Sequence, residues 1–231
     1  MSEALNDLWQ KMGMRYQSHP WHGIYIGKNA PETVMSFIEM TPHDSVKYEI
    51  DKQSGFLKVD RPQKFSNIVP ALYGFLPQTY CAEEVADYCM LKSGRKGIIG
   101  DGDPLDIIVL TERNIAHGNI IVPAVPIGGI RMIDDGEADD KIIAVLKGDE
   151  TYNWKSLSDC PDSIINRIRH YFLTYKTIPG ESLNRVEIAA IYGKDEAIEV
   201  IERSRRDYDN HYGGIETKMQ QATIDIIQRH K

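Results

Sequence analysis

The sequence predicts an α+β fold in which a closed antiparallel β-barrel is flanked by helices near the C-terminus. Three observations support it: short apolar segments follow closely on one another, Gly and Pro separate them, and helical periodicity begins only near Asp159. Strands this dense are typical of antiparallel barrels, whereas a βαβ sheet would alternate strands with helices. We predict a single domain, 1–231, with an N-terminal arm (1–32), the barrel with a helix (33–192) and a C-terminal helical extension (193–231).

The clearest strands form a hairpin over residues 46–61. Apolar residues at 46, 48 and 50 alternate with Lys47 and Glu49, which places these two polar side chains on one face of a strand. Residues 51–55 are predicted to form the turn, and Phe56–Arg61 the return strand. The other predicted strands are Val34–Met40, Ile107–Thr111, Ile120–Val125, Ile127–Met132, Lys141–Leu146 and Arg185–Tyr192.

Three helices are predicted late in the chain. The first is capped by Asp159 and extends to about Thr177, before the Pro179-Gly180 pair. The second covers Asp195 to about Tyr208. A third is predicted in the tail, where Ile215, Met219, Ala222 and Ile226 recur at helical spacing. The polar insertion between Cys81 and Gly100 is predicted to be a loop.

Composition limits the classes of function. The chain is 42% hydrophobic and 26% charged with a formal net charge of −7, as expected for a globular protein that binds neither nucleic acid nor an anionic membrane. Its three cysteines lack paired C-x-x-C spacing, which argues against a zinc site or a disulfide framework and favours a reducing cytoplasm. No signal peptide is recognisable, and the most apolar stretch is broken by Pro and Gly.

The most informative motif is an acidic turn before a buried strand. Asp101, Asp103 and Asp106 fall within six residues and are followed by the apolar run 107–110. Carboxylates held this close repel one another, so a fold that keeps them ionised supplies cations. Oxygen ligands on a turn favour a hard ion, Mg²⁺ before Zn²⁺.

A second acidic segment, 134–140, precedes the apolar run 142–146 and contains Asp134, Asp135 and Asp139. Taken alone it is typical of a solvated hairpin turn. If both acidic turns meet at one end of the barrel, however, they can form a site for more than one divalent ion.

Other known motifs rich in Asp or Gly do not match this sequence. In an EF-hand alignment of the first acidic turn, Leu105 occupies a ligand position and Asp106 stands where Gly is required. Phosphatases with an Asp-x-Asp turn need a βα sheet, which the strand pattern does not predict. No P-loop and no nucleophile-elbow motif occurs in the sequence.

Cationic and phenolic side chains could complete an anion site. Lys47, Arg61, Lys141 and Lys176 lie in or beside predicted elements, where each could approach an oxyanion. Taken singly, each is also typical of a solvated strand edge. Tyr73 and Tyr175 have the pattern of core or rim aromatics with a polar tip.

Together these motifs resemble those of family I soluble inorganic pyrophosphatases. Asp101-Gly102-Asp103-Pro104-Leu105-Asp106 is similar to the family signature D-x-D-P-x-D before an apolar strand. Further segments follow in the family's order over roughly Val34 to Tyr192: Phe37–Met40, Val46–Asp51, Val59–Arg61, Tyr73–Thr79, Met132–Val145 and His170–Lys176.

The resemblance implies an OB-like β-barrel, hydrolysis of pyrophosphate with several Mg²⁺ ions, and a homo-oligomer in the cytoplasm. It implies that Asp103 is the general base. The implied metal ligands are Asp101, Asp106, Asp134 and Asp139, with Glu39, Glu49 and Asp135 supporting the metal shell or its waters. The implied substrate contacts are Lys47, Arg61, Tyr73, Lys141, Tyr175 and Lys176.

Two alternative functions remain open, and the sequence differs from the family pattern in three respects. The chain could instead be an OB-like binding module with a structural cation, or a nucleotide diphosphohydrolase. It departs from the family at Val69, where many members have Tyr, and in its longer insertion and tail. It also has Thr174 where some bacterial hexamers have His, although His170 matches.

Overall fold

The computed structural model describes residues 17–176 and 186–214, together with positions 221, 222, 224, 225 and 228. The described strands are β1 (Val34–Met40), β2 (Val46–Ile50), β3 (Leu57–Pro62), β4 (Leu72–Phe75), β5 (Ile99–Gly100), β6 (Asp106–Leu110), β7 (Ile120–Asp134), β8 (Glu137–Ala138), β9 (Lys141–Leu146) and β10 (Val186–Gly193). The described helices are α1 (Glu83–Ser93), α2 (Asp162–Thr174) and α3 (Lys194–Tyr212). Within these residues no helix is long and apolar enough to cross a membrane.

Five strands form a ring in the order β1, β4, β6, β9 and β7, and β7 pairs back onto β1. This arrangement confirms the predicted α+β, OB-like fold. One part of the prediction is wrong, because β6 and β9 are parallel rather than antiparallel. The short pair β5–β8 is parallel as well. The parallel register sets Asp106 beside Lys141, at the ends of the strands where the acidic segments lie.

The segments 120–125 and 127–132 belong to one long strand, β7, and not to two strands as predicted. A register shift between Pro126 and Gly128 lets the strand bend without ending. The first half of β7 pairs with β1, and its second half pairs with β10. Strand pairing continues on both sides of Pro126 and Gly128. These residues therefore bend the strand and do not end it.

The predicted hairpin is present as a separate two-stranded sheet of β2 and β3. Lys47 pairs with Arg61 across the sheet, next to a register shift after Lys47. The two cations therefore project from adjacent strands, and the hairpin brings them near the end of the ring.

The insertion after Cys81 contains helix α1, so the predicted loop is wrong. Val85, Ala86, Tyr88 and Cys89 are buried on one side of the helix, and Gly94 ends it with φ +70°. The sequence does not predict this helix because the residue at its start, Ala82, has no side chain that could cap it. The acceptor for the free N–H groups comes instead from Asp207 on α3.

The two later helices differ from the prediction mainly at their ends. Asp159 does not cap α2, which begins after Pro161, but caps a preceding 3-10 turn by accepting the backbone amides of Lys155 and Ser156. Helix α3 continues to Tyr212, beyond its predicted end. The predicted third helix falls largely outside the described residues, as do the N-terminal 16 residues and the Pro179-Gly180 pair.

The core lies on both sides of the sheet. Ile107 and Ile142 pack in a cluster with residues of α1 and α3, whereas the neighbouring Ile108 and Ile143 pack with residues of α2. Because each strand buries both faces, β6 and β9 are apolar without alternation. The helices thereby fix the ring from two sides and leave one end of it open.

Candidate active site

A cleft of about 350 Å³ opens beside the start of β6 and β9, where the β2–β3 hairpin and the end of α2 also meet. Every predicted site residue except Asp135 lines it. These lining residues are Glu39, Lys47, Glu49, Arg61, Tyr73, Asp101, Asp103, Asp106, Asp134, Asp139, Lys141, Tyr175 and Lys176. The two acidic segments and the cations therefore share one site, although Lys47 and Lys176 are 129 positions apart along the chain.

The first acidic turn is a compact loop between β5 and β6. The backbone amide of Asp103 donates a hydrogen bond to Asp101 Oδ1 at 2.9 Å, and Gly102 has a φ of +71°. The Asp103 side chain is about half exposed and forms an ion pair with Lys52. The turn thus presents one carboxylate toward the opening and holds another against the backbone.

Lys141 links the two acidic segments. Its Nζ donates to Asp106 Oδ2 and to Asp139 Oδ1, and the residue is only 2% exposed. Burial opposes the charge, but Asp106 and Asp139 outweigh it and raise the pKa of Lys141 well above its ordinary value. Tyr73 adds a hydrogen bond from its hydroxyl to Asp106 Oδ2 at 2.5 Å.

Burial and neighbouring carboxylates raise the pKa of several acidic side chains in the cleft despite these lysines. Burial raises the pKa of Glu39 to about 8, with a further contribution from the Asp106 charge, although the amide of Ile50 donates to Glu39 at 2.7 Å. Burial and the Asp139 charge raise the pKa of Asp101 well above its ordinary value. Burial also raises the pKa of Asp139, against the opposing effect of Lys141. Added cations would therefore stabilise the site.

The donor set fits a hard divalent cation. The described lining residues offer carboxylate and phenolic oxygens and no imidazole or thiol, the ligand chemistry that Mg²⁺ prefers. Within the described part of the chain, no three carboxylate, imidazole or thiol side chains already form a metal cage. Lysines contact several of the carboxylates, Lys176 on Asp134 among them.

The cationic wall comes from the hairpin and from the end of α2. Lys47 Nζ contacts Glu49 and lies 3.5 Å from Asp60 Oδ2, and Arg61 contacts the same Asp60 carboxylate. Tyr175 follows the last residue of α2, with Lys176 next to it. Cationic side chains therefore lie beside the carboxylates of the cleft. An anionic substrate bound there would have cations to contact its oxygens.

Comparison with known proteins agrees with this geometry. The family model described as "Inorganic pyrophosphatase" matches residues 36–209. The chain belongs to the inorganic pyrophosphatase family. An inorganic pyrophosphatase of Chlamydia muridarum is 54% identical over 197 residues, which cover 83% of this chain and 94% of the relative. Soluble inorganic pyrophosphatase 2 of Chlamydomonas reinhardtii is 35% identical, with 84% and 91% of the two chains covered.

A solved structure supports the same family. The crystal structure of the inorganic pyrophosphatase from Thermus thermophilus superposes with a TM-score of 0.69 at 27% identity, covering 83% of this chain and 99% of that one. The likeness in structure therefore extends over nearly the whole of the bacterial protein.

Two residues that the sequence singled out, Asp135 and Val69, lie outside the lining of the cleft. Asp135 lies in the turn after β7 with φ +54°, its side chain exposed and outside the cleft lining, so its supporting role stays a prediction. Val69, where many members have Tyr, is buried in the cluster that also contains Met40 and Ala71.

Sequence reasoning missed four polar residues of the cleft: Lys52, Asp60, Tyr171 and Glu137. Lys52 follows the predicted strand 46–50 by two positions and Asp60 precedes Arg61, so both lie in the hairpin that was recognised. Their closeness in the sequence to Glu49 and Arg61 could have identified them as residues of the cleft. Tyr171 lies one helical turn before Tyr175, on the same face of α2.

Proposed function

We propose that the chain hydrolyses inorganic pyrophosphate to two phosphates by direct attack of water. The observation that carries the proposal is the meeting of both acidic segments and the cationic wall in one cleft, in a chain of the inorganic pyrophosphatase family. Pyrophosphate is a small, highly charged anion, and its hydrolysis needs positive charge around both phosphoryl groups.

Asp103 is the proposed general base. Its side chain is partly exposed toward the cleft, so the carboxylate can accept a proton from the attacking water without a change of fold. The ion pair with Lys52 places a positive charge beside the carboxylate. No covalent phosphoenzyme is required, because the water oxygen bonds directly to phosphorus as Asp103 accepts its proton, and the bridging P–O bond breaks to release phosphate.

Lys47, Arg61, Tyr175 and Lys176 are proposed to bind the phosphoryl oxygens. Arg61 can offer two parallel N–H donors, whereas the lysines act as point charges. Lys141 and Tyr73 are proposed as further substrate contacts; they also hold Asp106 and so fix the position of the β6 end.

Asp101, Asp106, Asp134 and Asp139 are the proposed ligands of several Mg²⁺ ions, with Glu39, Glu49 and Asp135 supporting them. Bound Mg²⁺ lowers the pKa of water and neutralises phosphate charge. The raised pKa values of Glu39, Asp101 and Asp139 support a site that gains stability when cations bind.

A phosphate-release assay tests the proposal. Wild-type protein with Mg²⁺ should release two phosphates per pyrophosphate, and chelation should stop the reaction. Asp103→Asn should lower kcat by about 10²-fold or more, the usual effect of losing a general base. Asp87→Asn, an exposed acidic residue on α1, is the matched control and should keep wild-type kcat.

Other outcomes would reject the proposed hydrolysis or the role proposed for Asp103. No phosphate release by folded protein at any Mg²⁺ concentration would exclude hydrolysis and favour a binding module. Faster hydrolysis of ATP than of pyrophosphate would identify a nucleotide diphosphohydrolase instead. Full activity of Asp103→Asn would remove Asp103 from the mechanism.

A cytoplasmic homo-oligomer is the proposed form of the protein. The described cysteines are free and buried, as expected in a reducing compartment. Phe56, Val59, Phe65 and Ile68 are at least half exposed on the β2–β3 hairpin and the loop after it, and exposed apolar side chains on neighbouring segments are typical of association surfaces. Light scattering coupled to size exclusion tests the assembly, and a monomer at micromolar concentration would contradict it.

A further inference from the structure

The buried carboxylate of Asp207, on α3, caps the first turn of α1. Its Oδ2 accepts hydrogen bonds from the backbone amides of Ala82 (2.9 Å) and Val85 (3.1 Å), and its Oδ1 accepts one from Glu84 (3.0 Å). Asp207 is only 2% exposed. The start of a helix has unpaired N–H groups and the positive end of the dipole, which a carboxylate satisfies. The start of the insertion helix is therefore fixed by a residue far along the chain.

A second contact attaches the same segment to α3. The backbone amide of Tyr80 donates to the carbonyl oxygen of Ser204 at 2.9 Å, and Ser204 is fully buried. Ser204 and Asp207 are three residues apart and share one face of the helix. Residues 80–85 are consequently held at two points along α3.

Cys81 connects this segment to the first acidic turn. Its amide donates to the carbonyl oxygen of Asp103 at 2.9 Å, and its own carbonyl oxygen accepts from the amide of Gly102 at 3.0 Å. Beside it, Thr79 Oγ1 accepts from the amide of Leu105 at 2.9 Å. A Cβ at Gly100 would collide with the Cys81 carbonyl oxygen, so the close approach of the two segments requires glycine there.

We infer that Asp207 is a positioning residue for the acidic turn: by capping α1 it fixes Cys81, and Cys81 fixes the backbone of Gly102 and Asp103. The inference rests on the proposed role of Asp103 as general base. Proton transfer and metal binding need side chains held to within a fraction of an ångström, so a loosened turn lowers the rate even when each carboxylate is present.

Asp149 provides a matched control. Its carboxylate accepts hydrogen bonds from three backbone amides, those of Glu112, Thr151 and Tyr152, and from the hydroxyl of Thr111. It is 9% exposed and does not line the cleft. Asp207→Ala and Asp149→Ala therefore each remove a carboxylate that satisfies three backbone amides, but only the first acts on the acidic turn.

Two readouts are compared in Asp207→Ala, Asp149→Ala and wild type. The first is amide hydrogen exchange of peptides covering residues 79–82 and 100–105 in metal-free protein. The second is kcat and KM for pyrophosphate at saturating Mg²⁺, at a temperature where circular dichroism shows all three to be folded. If Asp207→Ala does not fold, Asp207→Asn replaces it, because the amide oxygen keeps part of the cap.

Asp207→Ala should exchange faster in both peptides and lose roughly tenfold in kcat, with KM changed less than kcat. Asp149→Ala should match wild type in these peptides and in kcat, even where its melting temperature falls equally. Wild-type exchange and kcat in Asp207→Ala would overturn the inference, as would equal losses in Asp149→Ala. If wild type hydrolyses no pyrophosphate, the proposed function fails, while the exchange comparison still decides whether Asp207 holds the turn.

Discussion

Asp106 and Lys141 are direct register partners in the parallel β6–β9 pair, and the Lys141 ammonium also contacts Asp139. Each residue begins its strand, so the pairing brings the first acidic turn to the second. A single buried cation thus stands between two groups of carboxylates. Its removal would leave both groups without their shared partner.

Lys141→Met should therefore lose both stability and activity. Removing one partner from a buried ion pair typically costs about 3–5 kcal/mol, because the other charge remains buried. Loss of a cation from the cleft should lower kcat by about 10²-fold or more. Urea unfolding and phosphate release measure the two effects. Lys147→Met, at an exposed lysine just after β9, should change neither.

The buried Arg131 joins the sheet to two helices and should be essential for stability. Its guanidinium donates to Glu196 at 2.6 Å, lies 3.5 Å from Asp140, and packs over the ring of Tyr88 with 5.2 Å to the centroid. Arg131→Met should destabilise the protein by about 3–5 kcal/mol, since it leaves buried Asp140 without its cation.

Arg206→Met is the control for this prediction. Arg206 is 47% exposed and pairs with Glu84 and Glu199 at the surface, where ion pairs contribute about 0–1 kcal/mol. Differential scanning calorimetry of both variants measures the contrast. Equal melting temperatures of Arg131→Met and wild type would show that the buried network adds nothing to stability.

His22 should make stability fall as the pH is lowered below 7. Burial, and then the nearby His19 charge, lower the pKa of His22 to about 4, while its Nδ1 lies 2.9 Å from the Tyr208 hydroxyl. The unfolded chain takes up this proton near pH 6.5, so between pH 6.5 and 4 the unfolded state binds more protons and is favoured.

Urea unfolding at pH 7 and pH 5 measures this effect. His22→Gln should show a smaller loss of unfolding free energy over that interval, and His117→Gln, at an exposed position, should keep the wild-type slope. Glu39 and Asp140, whose pKa values burial raises to about 8 and 7, change stability in the opposite direction. The difference between variants therefore isolates His22, and an unchanged slope in His22→Gln would contradict the assignment.

Gly94→Ala should destabilise helix α1 by about 1 kcal/mol. Gly94 ends the helix with φ +70° and its amide donates to the Met90 carbonyl oxygen, a conformation that costs alanine energy. A Cβ there would have open space, so the effect is purely one of the backbone. Gly94→Asn should cost less than Gly94→Ala, because Asn tolerates the left-handed region, and thermal unfolding ranks the two.

Most of the residues that line the cleft were predictable, because they stand in short motifs that resemble those of the family, and their roles stay predictions. The acidic turn at 101–106 is a short motif beside an apolar strand, and the hairpin that carries Lys47 and Arg61 follows from period-2 alternation. The insertion helix was not predictable in the same way, since Asp207 supplies its cap from α3. The parallel β6–β9 pairing was also missed, because strand direction depends on which strands become neighbours.

The sequence by itself determined which residues carry charge near strand ends, and hence the candidate carboxylates and cations. Such patterns depend only on neighbours along the chain. The tertiary structure alone decided that Lys141 lies between Asp106 and Asp139, and that Cys81 bonds to Gly102 and Asp103. These contacts depend on sheet register and helix packing, which are set by burial of the whole core rather than by any local segment.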